Sequence, residues 1–411
     1  MSKPPKPRVV IVGGGFAGLA CANNLPAKHF DVTLIDQRSS FEFLPNIHEL
    51  VSGVKTKEQL RLDLCSALGS AGHTFVNGCV DALNPQKRVV SLRGRSPLSA
   101  DYLVIAIGGV DQDFGIPGVS RHAHGFKSVN QCAAIHDRLQ RLFTSTAKRR
   151  RAPSIVIVGA GLEGVEACGE VLRFSTGFDA QIHIVETKGQ PLPENGGGVS
   201  RHMRELFDIH GITGHWSDSV RSVAARSVTL TSGTKLTSDL TIWTVGAAPH
   251  PLLRESGLDA NGRWVPVDES LLHPEFRNVF VAGDAAAPPQ LVKKQAYNAL
   301  DMGRCVARNI VRLERAQPLE DFRASAKPQL CAFGNVDTLL LGGGVGIAGP
   351  ALAPAKEAIY SAVMTQLDRR RFPARLGSLT ARNLRAFNKL LIPALRKPEL
   401  LRRAGAFRLL R

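Results

Sequence analysis

The 411-residue chain predicts an α/β fold with two parallel-sheet nucleotide-binding units, on three observations. Two segments 146 residues apart, counted from Gly13 to Gly159, each read as apolar strand, glycine-rich turn, apolar helix, second strand and terminal acid. A further strand ending in a glycine–acid turn, Asn278–Asp284, lies far downstream. A composition of 44% hydrophobic and 21% charged residues supports sizeable cores and excludes a disordered or collagen-like chain.

In order, residues 8–12 (RVVIV) form a short β-branched run, as a buried parallel strand does. Gly13-Gly14-Gly15-Phe16-Ala17-Gly18 follows, then a helix through LACANNL and a strand over Asp31–Ile35 ending at Asp36. Gly13 permits the tight turn, Gly15 a close approach to a pyrophosphate, and Gly18 close helix–strand packing. Asp36 suits a ribose hydroxyl. The unit recurs as the strand Ser154–Val158, the turn Gly159-Ala160-Gly161-Leu162-Glu163-Gly164, a helix and the strand Gln181–Val185, closing at Glu186. Two such units imply two dinucleotides, most economically FAD and a nicotinamide. Tyr102–Ile107 before Gly108, and Leu240–Val245 before Gly246, are strand–glycine crossings between the units. Asp284 sits at a strand's C-terminal end, where α/β sheets bind ligands. Lys148-Arg149-Arg150-Arg151 reads as a solvated linker.

Seven cysteines, odd in number and without a C-x-x-C pair, argue against a disulfide framework and a zinc site. Cys132 and Cys331 are the loosely plausible redox candidates; Cys21 and Cys168 read as small core residues. The 12 histidines form no ligand cluster, so no metal is implied. The N-terminus lacks a signal-peptide pattern, and the longest uncharged run, Thr338–Ala355, holds too many glycines and prolines for a spanning helix. A cytoplasmic location at a peripheral membrane face is expected.

The net charge of +17 is uneven: 13 Lys/Arg against two acids over residues 365–411 give +11, leaving +6 for the rest. Wound as a helix, residues 376–396 gather Leu376, Leu379, Leu384, Phe387 and Leu390 within an arc of about 160°, with Arg382, Arg385, Lys389 and Arg396 opposite. That pattern suits a helix lying on an anionic membrane surface; nucleic acid is disfavoured, since Phe387, the one aromatic residue of this segment, stands on the apolar side and none is interleaved among its basic residues for stacking. Docking of the tail on the body stays open, as does a homodimer.

The motifs GGGFAG, AIGGVDQDFGIPG, GAGLEGVEACGE, WTVGAAPHP and VFVAGDAA stand in the order seen in two-dinucleotide-binding-domain flavoproteins, and residues 7–345 resemble that family. FEFLPNIHELVSG (41–53) is similar to the flavin-side loop of type II NADH dehydrogenases and apoptosis-inducing-factor-like proteins. Lys294-Gln295-Ala296-Tyr297 resembles the K-x-A-Y element of the ferroptosis-suppressor branch. The resemblance implies two Rossmann-like domains, an NAD domain inserted in an FAD domain, plus a C-terminal region with basic amphipathic helices. The expected boundaries are 1–110 and 247–325 for the FAD domain, 111–150 for linker and crossover, 151–246 for the NAD domain, 326–364 for an interface region and 365–411 for the tail.

It further implies that Gly13, Gly15, Gly18, Asp36, Gly283 and Asp284 serve FAD, while Gly159, Gly161, Gly164 and Glu186 serve NADH; Phe16, Ala17, Gly108 and Gly246 are further cofactor-binding candidates. Glu186 disfavours a 2′-phosphate; Lys188 keeps NADPH open. Glu166 is expected beside the nicotinamide and flavin, and Lys294 beside the reduced flavin or an incoming quinone oxygen. The implied activity is NAD(P)H:quinone oxidoreduction. Reduction of a soluble redox protein, and a non-enzymatic NADH-sensing flavoprotein that binds a partner, are the alternatives.

Overall fold

The computed structural model describes residues 5–144, 151–259, 261–325, 327–368 and 407–410. Strands Thr74–Asn77, Asp31–Asp36, Arg8–Val12, Tyr102–Ile105 and Val279–Val281 lie side by side in that order, all parallel. Their valine, isoleucine and leucine side chains, Val76 apart, are buried, Val9, Ile11, Leu34 and Val104 completely, as a doubly covered parallel sheet requires. A second sheet repeats the plan with Thr213–Trp216, Gln181–Glu186, Ser154–Val158, Leu240–Trp243 and Ala123–Gly125, again all parallel. The chain of the second sheet therefore runs between two neighbouring strands of the first, Tyr102–Ile105 and Val279–Val281. One nucleotide fold is inserted in the other.

Each half also carries a three-stranded antiparallel meander at the same point of its path, Val80–Asn84 to Arg95–Ser99 in the first and Val220–Ala224 to Lys235–Thr237 in the second. The helices after the two glycine turns, Phe16–Asn24 and Leu162–Phe174, approach their strands as closely as backbone allows. A Cβ on Gly18 would stand 1.8 Å from the Gly13 carbonyl oxygen, and one on Gly164 would stand 1.9 Å from that of Gly159. The long helix Ala296–Glu314 crosses Phe16–Asn24 equally tightly, since a Cβ on Gly303 would meet the Ala17 carbonyl at 2.1 Å.

The expected strands are present, with the two crossings ending early, at Ile105 and Trp243, short of their glycines. The segment expected as linker and crossover is more than that. It supplies the edge strand Ala123–Gly125 and the helix Val129–Thr144 to the second half. Lys148, Arg149 and Arg150 lie outside the described residues. Arg151 is not simply solvated: its guanidinium grips both oxygens of buried Asp239, at 2.8 and 2.9 Å.

Residues 329–348 form three antiparallel strands, Gln329–Phe333, Asp337–Gly342 and Val345–Ala348, joined by Arg408–Leu410 as a fourth. The helix Ala353–Leu367 then lies over the first half. The basic helix expected over 376–396 lies outside the described residues. Among the described residues no helix is long and apolar enough to cross a membrane.

Candidate functional site

The glycine turns and strand ends of the first half open onto a cavity of about 700 Å³ that reaches across to the second half and the C-terminal helix. Of the sequence-predicted residues, Gly13, Gly15, Phe16, Ala17, Asp36, Gly108, Glu166, Gly246, Gly283, Asp284 and Lys294 line it. Gly18 does not, because it is spent on helix–strand packing. Gly159, Gly161, Gly164 and Glu186 stand at the corresponding turn of the second half, outside this cavity.

The turns fit dinucleotides. Gly15 has ordinary extended φ and ψ of −76° and −165°, and a Cβ built on it meets nothing within 4 Å. Gly161, at −72° and −168°, is equally open. Each caps a helix N-terminus whose free N–H groups and dipole attract phosphate, so these are cradles that a side chain would fill. The strand-end acids are anchored alike. Asp36 accepts from the Gly14 N–H at 2.7 Å and the Arg38 N–H at 2.8 Å. Glu186 accepts from the Ala160 N–H at 2.8 Å and the Lys188 N–H at 2.9 Å. Both carboxylates are fixed beside their turns, where a ribose would lie.

Gly283, with φ of +71°, turns the chain so that Asp284 enters the cavity. Burial pushes the Asp284 carboxyl up, and Lys294 and Lys127 pull it back. Lys294 lies 3.7 Å from the centre of the Trp264 ring and donates to the Asp284 carbonyl. Burial lowers its ammonium, opposed by Asp284. Phe16 packs edge-on against Phe41 and Phe43 at 4.8 and 5.7 Å, and Phe43 against Tyr360 at 5.1 Å. The C-terminal helix is thereby tied to the first half.

Glu166 proves to be one of three ionisable groups, and sequence reasoning missed the other two. Its Oε1 accepts from Lys356 Nζ at 2.9 Å and from the Ala332 N–H at 3.3 Å. Lys356 Nζ also lies 2.6 Å from His48 Nε2, and His48 Nδ1 faces Glu166 Oε2 at 3.6 Å. An ammonium can only donate, so Nε2 accepts and the imidazole proton sits on Nδ1, towards the carboxylate. All three side chains are nearly withdrawn from water, at 1%, 12% and 9% exposure for His48, Glu166 and Lys356. Burial raises the Glu166 carboxyl, against the pull of Lys356. Glu170, one turn on, is also buried and accepts from the Ser52 hydroxyl.

Burial, then the charges of Lys356, Arg173 and Lys55, hold His48 well below its usual range of 6.5, so it is neutral in the folded chain. An unfolded chain takes up this proton below about 6.5 while the native state does not, so stability is full above that pH and falls on acidification by about 1.4 kcal/mol per pH unit. His48→Gln, which retains an acceptor for Lys356, is expected to lose this contribution to the acid slope of unfolding free energy below pH 6.5. Equal slopes in the two proteins would show that His48 is not held neutral.

The seven cysteines are all free. Cys132 and Cys331 are fully buried, with thiols pushed well above their usual range chiefly by burial. Cys21 and Cys168 sit on the two turn helices in the core, as expected. A buried, protonated thiol is a poor nucleophile. The double variant Cys132→Ala/Cys331→Ala is expected to retain turnover within about twofold and to lose about 1–3 kcal/mol of stability to the small cavities created. Loss of turnover in a folded double variant would overturn this reading.

Among curated proteins, the chain is 28% identical to the demethylphylloquinone reductase NdbB of Synechocystis, over 86% of this chain and 91% of that one. It is 25% identical to the type II NADH:quinone oxidoreductase of Haemophilus influenzae, over 80% and 86% respectively. Its fold matches that of the sulfide:quinone oxidoreductase of Aquifex aeolicus with a TM-score of 0.80 at 19% identity, over 89% of this chain and 92% of that one. Residues 7–303 match the pyridine nucleotide-disulphide oxidoreductase family, and the chain belongs to it.

Proposed function

We propose that this protein is an FAD-dependent NADH:quinone oxidoreductase that works at a membrane surface. The observation that carries this reading is the pairing of Glu166 and Lys356 in the wall of the main cavity, beside apolar side chains of the C-terminal region, Leu340, Leu352, Ile359 and Val363. A polar, charge-bearing corner next to an apolar face suits an acceptor with two oxygens on a lipophilic ring, and among the described residues no cysteine lines the cavity.

Gly13, Gly15, Asp36, Gly283 and Asp284 would hold FAD, and Gly159, Gly161 and Glu186 would hold NADH. A bound flavin supplies the two-electron chemistry that links a nicotinamide donor to a quinone. The chain's own residues bind, orient and manage protons. Lys356, itself nearly withdrawn from water, places a fixed positive charge where an acceptor oxygen becomes negative. Glu166, raised by burial against the pull of Lys356, is suited to exchange a proton with a reacting group. His48 fixes the Lys356 ammonium from the other side. Lys294, held over Trp264, adds positive charge to the cavity wall. Glu186 favours NADH, because a carboxylate at a strand end accepts from a 2′-hydroxyl and repels a 2′-phosphate.

Membrane association rests on the +11 charge of residues 365–411 and on the lipophilic character of the acceptor. The flanks of the undescribed segment are both seated on the body, in the helix Ala353–Leu367 and the strand Arg408–Leu410. Steady-state turnover of a short-chain quinone with NADH and with NADPH tests the reading. Turnover is expected with both quinone and NADH present, and NADH is expected to exceed NADPH in kcat/KM by about tenfold or more, the scale of one charge-assisted hydrogen bond. Absence of quinone turnover in a flavin-loaded protein would sink it.

A further inference from the structure

A separate cavity of about 320 Å³ opens at the N-terminal edge of the second sheet, the edge opposite its glycine turn. Arg121 and His122 reach it from the short helix before the edge strand, His124 from that strand, and Arg138 and Arg141 from the helix Val129–Thr144. The spacing of three places Arg138 and Arg141 on one helix face. Asp239 is the one acid among the described residues that line the cavity.

That carboxylate is already committed. Both its oxygens are gripped by Arg151, Oδ2 also accepts from the Ser154 N–H at 3.0 Å, and Arg226 stands 4.0 Å from Oδ1. Arg138 spends one N–H on the Asp239 backbone carbonyl at 3.0 Å, which fixes its fork at the cavity wall. Three guanidiniums thus line a concave surface whose one acid among the described residues is neutralised from behind. Burial, then the charges of Arg138 and Arg141, lower the His124 imidazole, whose ring shares that wall with both guanidiniums. Like charges gathered in a concavity repel, and a bound anion relieves the repulsion. A guanidinium fork matches the paired oxygens of a phosphate more closely than any monoatomic ion.

We propose that this cavity is a binding site for a phosphate-bearing anion, held by Arg121, Arg138 and Arg141 with His122 and His124 as further hydrogen-bond donors. The site is separate from both dinucleotide turns and does not depend on the proposed oxidoreductase activity. The phosphate can come from a soluble pyrophosphate-like molecule or from a phosphomonoester lipid headgroup at a bilayer.

The test uses the full-length, flavin-loaded protein in about 0.15 M chloride, an ionic strength that screens loose surface attraction. Inorganic pyrophosphate is titrated calorimetrically, and vesicles of phosphatidylcholine with phosphatidic acid are compared with phosphatidylcholine alone by flotation. Arg121→Gln/Arg141→Gln alters two exposed side chains and is expected to weaken binding about tenfold or more, the scale of lost charge-assisted hydrogen bonds. Weakening confined to pyrophosphate identifies a soluble ligand; weakening confined to phosphatidic acid vesicles identifies a headgroup. In the wild-type chain the bound anion is also expected to raise the titration midpoint of His124, followed by NMR. Equal binding by wild type and variant in both arms, or a His124 midpoint that neither ligand moves, would overturn the proposal.

Discussion

Replacing Lys356 with Met is expected to lower quinone turnover by about 100-fold or more, the range found when a single charge-stabilising donor is removed from a water-excluded site. The same change strands Glu166. Breaking a buried ion pair from one side costs about 3–5 kcal/mol when the remaining charge has no refuge. Here the carboxyl, already raised by burial, can take up a proton and limit the loss. The sign follows from that escape. A carboxyl raised in the folded state favours folding below its unfolded value of 4.5 and loses that advantage as pH climbs towards the folded value. Lys356→Met should therefore match wild type most closely in acid and fall behind as pH rises above about 4.5. Adding Glu166→Gln removes the stranded charge, so the double variant should regain stability without regaining turnover. Denaturant titrations at several pH values and quinone assays read these outcomes. Turnover within about threefold of wild type in Lys356→Met would remove the residue from the acceptor's side of the cavity.

The second large effect separates two glycines three residues apart. Gly15→Ala should leave the fold intact, because its φ of −76° suits any residue and no atom lies within 4 Å of the added methyl. The methyl projects into the phosphate cradle instead, and flavin affinity should fall by about tenfold or more, in line with losing close backbone approach to a pyrophosphate. Gly18→Ala should do the reverse. Its methyl would stand 1.8 Å from the Gly13 carbonyl oxygen, and parting helix from strand costs about 1–3 kcal/mol or more. Melting curves of the flavin-free proteins, with flavin content after gel filtration, distinguish the two. Equal destabilisation by both substitutions would contradict the division of labour.

Both glycine turns and both strand-end acids were legible in the sequence because each lies in one continuous stretch of 24 to 28 residues, Gly13–Asp36 and Gly159–Glu186. The insertion of one half in the other was implied by the family resemblance, which the downstream motif VFVAGDAA helps to carry. Lys356 and His48 were not legible. Lys356 lies 190 residues beyond Glu166 and 308 beyond His48, and no local pattern links positions so remote. A weak signal existed: Lys356 follows an apolar, glycine- and proline-rich run, where a cation needs a partner to be buried. The edge strand Ala123–Gly125 escaped notice for a different reason. The triplet Ala-His-Gly has neither length nor apolar alternation, and it pairs only because Leu240–Trp243 offers it an edge. The arginines of the second cavity are likewise scattered over two helices and become neighbours only after folding.

The central claim is that one cavity joins a nicotinamide donor to a quinone acceptor, and a two-stage anaerobic measurement addresses it most directly. The flavin-loaded protein is mixed with one equivalent of NADH, and bleaching of the flavin band is followed; a short-chain quinone is then added. The expected result is rapid bleaching, then full recovery of the oxidised spectrum within the turnover time. In Lys356→Met the first stage should persist and the second should slow. A flavin that NADH bleaches but quinone leaves bleached, in the wild-type protein, would contradict the claim.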